Sequence, residues 1–293
     1  MSSFKRGFLA ALLVGFFGTS VAMAQTVAIY AGAAAPGLPD VQAKVTAAGD
    51  FDSVDAFNID TKNLPTVSDL KAYDAVLVFS NDDFVYPVAL GDVLADYVDS
   101  GGGVVIATFS FDSNVNDGGL QGRLATTGYL PFTLGPNNIA SGLSLVPLIP
   151  SHPLLDGVTA FNGGDNSYHH AGIDFISGSE QVADWSNGEP LIGALRQSGG
   201  GIVVGLNFYP PSGDLASVFW DPETDGDVLM ANALLYAAGV GNAGVTSRQD
   251  LRDQVLGQYL GVLQEAIVAF CESRDDRRPN PRFYADLCNG KGD

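Results

Sequence analysis

The sequence predicts an α/β fold with a mostly parallel sheet flanked by helices, and three observations carry that expectation. Ala75–Phe79 and Gly103–Phe109 are valine-rich apolar runs. Both are too short for helices and show no polar face, as strands buried inside a parallel sheet do. Between them Leu90, Val93, Leu94, Tyr97 and Val98 recur at helical spacing, with Asp92, Asp96 and Asp99 on the other side. Ser100-Gly101-Gly102-Gly103 then stops the helix with residues that tolerate positive φ. Strand, helix and strand over about forty residues make a βαβ unit with a right-handed crossover. In open α/β sheets, ligands sit beyond the carboxyl ends of strands. Those ends are Ser80-Asn81-Asp82-Asp83 and Ser110-Phe111-Asp112-Ser113, so a site is expected there.

Residues 1–24 read as a secretory signal peptide to be set aside. Lys5 and Arg6 form a charged start, Phe8–Phe17 an apolar stretch, and Ala22-Met23-Ala24 a cleavage site before Gln25. The alternative is an uncleaved anchor. A span needs roughly 18 or more apolar residues, and Gly15, Gly18, Thr19 and Ser20 interrupt this one. The mature protein is therefore expected to be soluble, with no membrane contact after cleavage, in the periplasm or secreted.

Thr26–Tyr30 is the first strand, followed by a glycine- and alanine-rich loop. Leu38–Ala48 places Val41, Val45 and Ala48 on one face and ends at Gly49, which predicts a helix. Ser53–Ile59 is the second strand, and Val67–Ala72 a short turn or helix. Beyond the central unit, residues 112–150 read mostly as loop. Glu180–Trp185, Pro190–Leu195 and Gly201–Phe208 are strands separated by turns at Asn187-Gly188 and Ser198–Gly200. Asp225–Ala238 is a helix with Asp225 or Asp227 as N-cap and Gly239 as its stop. After a small-residue linker, Gln249–Cys271 sets Leu251, Val255, Leu256, Tyr259, Leu263, Ile267 and Phe270 on one face of a long amphipathic helix. Packing back on its own domain and making a homodimer or protein-partner contact both fit that periodicity. The expected organisation is a signal peptide (1–24), an α/β domain (25–240) and a C-terminal amphipathic helix and tail (241–293).

The 293 residues are 46% hydrophobic and 16% charged, with mean hydropathy +0.16. Net charge is −19, and loss of Lys5 and Arg6 makes it −21, because residues 1–24 contain no acid. No basic footprint for nucleic acid is visible, and the acidity reads as solubility of an exported protein. The two cysteines, Cys271 and Cys288, suggest a disulfide closing the tail in an oxidising compartment. It would be worth on the order of 3 kcal/mol by chain entropy. Gly32 and Gly37 follow the first strand, but the G-x-G-x-x-G order is absent and prolines intrude. No Gly-Lys-Ser/Thr of a P-loop occurs either, so no cofactor is indicated.

Three stretches together resemble the class I glutamine amidotransferase-like superfamily, a flavodoxin-like α/β fold, and within it the ThuA-like branch. The Tyr73–Phe111 unit matches that family's sheet core. His152-Pro153, Gly157-Val158, Phe161, Asp165 and Tyr168 are similar to the ThuA-like pattern, and Pro190–Tyr209 to its late hairpin. The resemblance covers residues 26–240. Active amidotransferases use a cysteine in a glycine-flanked elbow, activated by a histidine from a late His-Pro-Glu turn. Here the elbow is Thr108-Phe109-Ser110, Tyr209 stands where the base belongs, and Pro211 where its carboxylate partner belongs. The resemblance therefore implies loss of the Cys-His-Glu triad and of glutaminase activity.

The expected ligand cleft combines Asn81, Asp82, Ser110, Asp112, Asp165, Tyr168, His169, Asn207 and Tyr209. No residue is assigned a catalytic role and no metal is expected. Adjacent carboxylate, imidazole and aromatic groups in Asp165–His170 suit a metal or a sugar. Consecutive histidines on extended chain face opposite ways, however, so His169 and His170 do not easily share an ion. The leading expectation is an exported, non-catalytic domain that binds a small polar ligand, a carbohydrate first, or a protein partner. The rival is a metal- or serine-dependent hydrolase acting on a glycan or peptide through Ser110 and a histidine. Against it, G-x-S-x-G is missing.

Overall fold

A computed structural model describes residues 25–32, 37–59, 63–114 and 117–239. The expected signal peptide, the Gln249–Cys271 helix and the Cys271–Cys288 pair lie outside those residues. Gln25–Gly32 (β1), Gly37–Ala48 (α1), Phe51–Asn58 (β2), Val67–Leu70 (α2), Ala75–Ser80 (β3), Pro87–Asp99 (α3) and Gly103–Ala107 (β4) form the first half. Gly122–Thr126 (α4), Asn137–Asn138 (β5), Leu145–Pro147 (β6) and His169–His170 (β7) follow. Glu180–Trp185 (β8), Pro190–Arg196 (β9), Ile202–Leu206 (β10) and Gly226–Ala237 (α5) complete the order.

Eight strands make one sheet in the order β2-β1-β3-β4-β10-β9-β8-β6, and β5 pairs with β7 apart from it. Strands β2, β1, β3, β4 and β10 run parallel, while β9, β8 and β6 add on antiparallel. The buried strands are apolar throughout because successive side chains serve opposite layers. Val27, Ile29, Leu77, Phe79 and Val105 cluster with Val41 and Val45 of α1 and Leu229 and Ala233 of α5. Ala28, Tyr30, Val76, Val78, Val104 and Ile106 cluster with Leu90, Leu94 and Val98 of α3. Among the described residues, no helix is long and apolar enough to cross a membrane.

Three details differ from the sequence reading. The fourth strand stops at Ala107, because the Ser110 amide turns back to the Ala107 carbonyl at 2.9 Å. Residues 112–150 contain α4, β5 and β6, elements of two to five residues that no periodicity can reveal. Asp225 occupies the N-cap position of α5 but does not cap it. Its carboxylate instead accepts from the Thr159 amide, the Thr159 hydroxyl and the Ala160 amide, at 2.6, 2.7 and 2.9 Å.

Close backbone approach fixes one glycine of α3. A Cβ on Gly91 would lie 1.7 Å from the Gln121 carbonyl oxygen, just before α4. Gly91→Ala is expected to push α4 away and destabilise the domain by about 1–3 kcal/mol, read as a lower urea midpoint. Ala at Gly128, which has open space around it but a φ of +80°, is the comparison for backbone strain alone.

Candidate functional site

The turns after β3 and β4 are tied together by backbone hydrogen bonds. The Asn81 and Asp82 amides both donate to the Gly32 carbonyl at 2.7 Å, and the Phe109 amide donates to Ser80 at 3.2 Å. These bonds hold Asn81, Asp82 and Asp83 opposite Phe109, Asp112, Ser113 and Asn114. With Asp117, Pro136 and Asn137 they line a cleft of about 700 Å³. Four carboxylates and three side-chain amides face it, and no cationic side chain among the described residues lines it.

Much of that polar lining is internally braced. Asp112 is nearly fully buried and accepts from the Asn114 and Asn137 amides at 2.7 and 3.1 Å. Burial pushes its carboxyl above the usual range, the two amide bonds opposing. Asp83 accepts from the Gly118 amide at 3.0 Å, and the Asn114 side chain donates to Asp117. Behind the cleft, the Phe109 ring lies 5.2 Å from Tyr209 and 5.5 Å from Tyr168. Tyr209 donates its hydroxyl to Asn81 Oδ1 at 2.9 Å. Burial first, then the negative charge of Asp82, raises its pKa and keeps the phenol protonated.

Of the residues expected in the cleft, Asn81, Asp82 and Asp112 line it, with Tyr209 and Tyr168 in the layer behind. Four others are placed elsewhere. Ser110 is completely buried and its Oγ has no partner among the described residues. His169 is buried on the opposite side of β7, with Nδ1 2.7 Å from the Ser167 carbonyl and its ring against Trp185. Asn207 is buried and spends its amide on main-chain groups of His170 and Pro190. Asp165 faces a separate hollow with Asn162, Asp221 and Phe219. His170 points away from His169 toward Phe109 and Phe111, the opposed arrangement that extended chain requires.

Asp83, Phe109, Asn114, Asp117 and Asn137 were not singled out for the cleft. The signal was present for Asp83, in the acid-rich turn after β3, and for Phe109, at the elbow position, whereas Asn114, Asp117 and Asn137 belong to polar turns that carry no mark of the cleft. The remaining histidine, His152, also serves structure. Its Nδ1 accepts from the Leu154 amide at 3.1 Å and its Nε2 meets Glu180 Oε2 at 2.8 Å, which holds that carboxyl below the usual range. Phe161 of the same family-like pattern packs between Phe208, Trp185 and Trp220. Among the described residues, no three His, Cys, Asp or Glu side chains are grouped to hold a metal ion.

A hollow of similar size, about 680 Å³, lies at the sheet's outer edge between β2 and α2, lined by Tyr30, Phe57, Leu64, Asp69 and Tyr73. Its lining is as polar as it is apolar, with Asn58, Asn63 and Ser68 among the rings, but it draws on an edge strand, not on the central turns where the parallel strands end. The strand-end cleft is the better candidate.

No protein-family model and no curated protein matches the chain. Solved structures similar to it include a protein described as thua-like from Parabacteroides merdae. It has 15% identity and a TM-score of 0.49, covering 74% of this chain and 91% of its own. Another thua-like protein, from Bacteroides uniformis, has 15% identity and a TM-score of 0.49 over 72% of this chain and 90% of its own.

Proposed function

We propose that this chain is an exported ThuA-like, amidotransferase-like domain without glutaminase chemistry, and that its strand-end cleft binds a small polar ligand. A carbohydrate is the ligand class. The observation that carries this reading is the pairing of Phe109 with Tyr209 beneath an acid- and amide-lined cleft. Those are the positions at which the resembling enzymes keep their thiol and imidazole. An aromatic pair there supplies neither a nucleophile nor a base, since a protonated phenol accepts no proton at neutral pH.

The lining chemistry supports the ligand class. Carboxylates and amide oxygens accept from sugar hydroxyls, amide N–H groups donate to them, and an aromatic ring suits a sugar's C–H face. Anionic ligands are disfavoured by four carboxylates with no cation among the described residues beside them. Calorimetry of the mature protein against a panel of neutral mono- and oligosaccharides tests the reading. Asp82→Ala and Asn137→Ala, both at exposed positions, are each expected to weaken the bound sugar about tenfold, or 1.4 kcal/mol. Asn137→Ala should leave the melting temperature unchanged. A panel with no binder, or binding indifferent to both changes, removes the carbohydrate assignment.

A further inference from the structure

The edge of the sheet farthest from β2 carries a cluster of exposed apolar side chains. Strand β6 ends the sheet order, paired with β8 on one side and bonded on the other at its start, where the Leu145 amide donates to the Phe161 carbonyl at 3.1 Å. Along and just beyond it, Val146, Leu148 and Ile149 are 42%, 44% and 41% exposed. Pro147 and Pro150 flank them, also exposed. The Leu148 and Ile149 amides both turn inward to the Val182 carbonyl, at 2.9 and 3.2 Å. Two prolines and two inward amides leave few donors for an added strand, so a β-partner is poorly served. A helix laid across the side chains is the other way to cover such an edge.

The chain itself supplies a candidate in the amphipathic sequence after α5, and the described residues end within reach of this edge. Tyr236, in the last turn of α5, donates to Glu180 Oε2 at 2.8 Å, and its ring lies 5.0 Å from that of His152. The His152 amide in turn donates to the Ile149 carbonyl at 3.0 Å. The described residues end at Gly239, three residues beyond Tyr236. Residues 240–248 can span about 30 Å when extended, more than the step from Tyr236 to Ile149 needs. Next comes the run whose Leu251, Val255, Leu256, Tyr259, Leu263, Ile267 and Phe270 share one helical face. An apolar stripe that long outreaches the edge, whose six residues 145–150 cover about 20 Å at strand rise.

Charge favours the same pairing. Residues 25–239 hold 25 acidic against five basic side chains. Residues 240–293 hold seven of the chain's fourteen basic residues, against eight acidic. A nearly neutral segment docking on a strongly acidic body avoids the repulsion that a second acidic body would bring.

We propose that the apolar face of Gln249–Cys271 docks in cis on the Val146–Ile149 edge, covering it within the same chain. The test uses the full mature protein, exported so that Cys271 and Cys288 can pair, with the photo-crosslinker p-benzoylphenylalanine at position 148. The expected product is a monomer in which position 148 is joined to a peptide from 249–271. A covalent dimer, a crosslink confined to residues outside 240–293, or no crosslink overturns the proposal; the dimer would assign the edge to a second copy.

An independent readout is limited trypsin cleavage after Arg252 under native conditions. Leu148→Asp with Ile149→Asp should raise that rate at least tenfold, while Leu215→Asp, an exposed apolar position elsewhere, should leave it unchanged. Equal rates in all three proteins overturn the proposal.

Discussion

Asn207→Leu is expected to lower stability by about 3–6 kcal/mol, more than any single change in the cleft. The Asn207 side chain sits in the interior and satisfies three main-chain groups at once. Its Oδ1 accepts from the His170 amide at 2.7 Å, and its Nδ2 donates to the His170 and Pro190 carbonyls at 3.0 and 2.8 Å. It thereby ties the short strand β7 to the start of β9. Leucine is similar in size, so packing changes little, but it offers none of these partners. Each buried group left unpaired costs about 1–3 kcal/mol.

For a domain of this size each kcal/mol lowers the melting temperature by about 2–4 °C, so the melt should fall by about 6–24 °C. Asn207→Asp should do at least as much damage, because it turns an acceptor toward two carbonyl oxygens and buries a charge. Urea unfolding of both variants checks this. A melting temperature within about 2 °C of the parent protein would show that β7 and β9 are held by something else.

Acidification from pH 6.5 to 4 is expected to remove on the order of 3 kcal/mol of stability through His170 alone. Its imidazole is completely buried against Phe109 and Phe111, and burial pushes its pKa down to about 4. The Nδ1–H donates to the Gly135 carbonyl at 3.0 Å, while Nε2 has no partner among the described residues. Asp112 Oδ2 stands 3.9 Å from Nδ1. A carboxylate that close would favour the charged imidazole, but desolvation of both groups outweighs it, and the contact is not an ion pair. The neighbouring His169 pushes His170 the same way as burial.

An ordinary histidine in the unfolded chain protonates near 6.5, and the folded one near 4. Between those values the unfolded state binds more protons, so stability is full above pH 6.5 and is lost as pH falls toward 4. Asp112, with its raised pKa, has the opposite slope: acidification through its own titration relieves the cost of burying its charge. Glu180, with its lowered pKa, contributes a further loss at lower pH. His170→Phe separates these effects, because the carboxylates and the other histidines remain. It should be somewhat less stable at pH 7, since the Gly135 carbonyl loses one of its two donors and keeps only the Ser113 amide at 3.1 Å, yet flatter between pH 6.5 and 4.5. Urea midpoints that fall in parallel for both proteins would remove His170 as the source.

Much of the fold was legible because it is written locally. The β3–α3–β4 unit, the three late strands and helices α1 and α5 each announce themselves by a period of 3.6, by an unbroken apolar run, or by a glycine stop. The candidate cleft was half legible. Strand ends could be named from the runs that precede them, which placed Asn81, Asp82 and Asp112. The site's outer members, Asn114 and Asn137, sit in turns that look like any other polar turn until the folded chain brings them across from β3.

By itself, then, the sequence determined the layers: which segments are buried on both faces, which helices cover them, and that the central strand ends carry acids and amides rather than a thiol. Only the tertiary structure decided that β10 inserts beside β4 some hundred residues after it, and that Ser110, His169 and Asn207 turn inward while Asp83 and Asn137 face solvent. The reason is physical. Periodicity reports the environment along one element, whereas a side chain in a turn points wherever distant partners can satisfy it. Asn207 illustrates the limit: polar, and one residue beyond a strand's carboxyl end, it looks like a ligand group, yet its side chain is spent on the main chain of β7 and β9 and on the Thr108 hydroxyl.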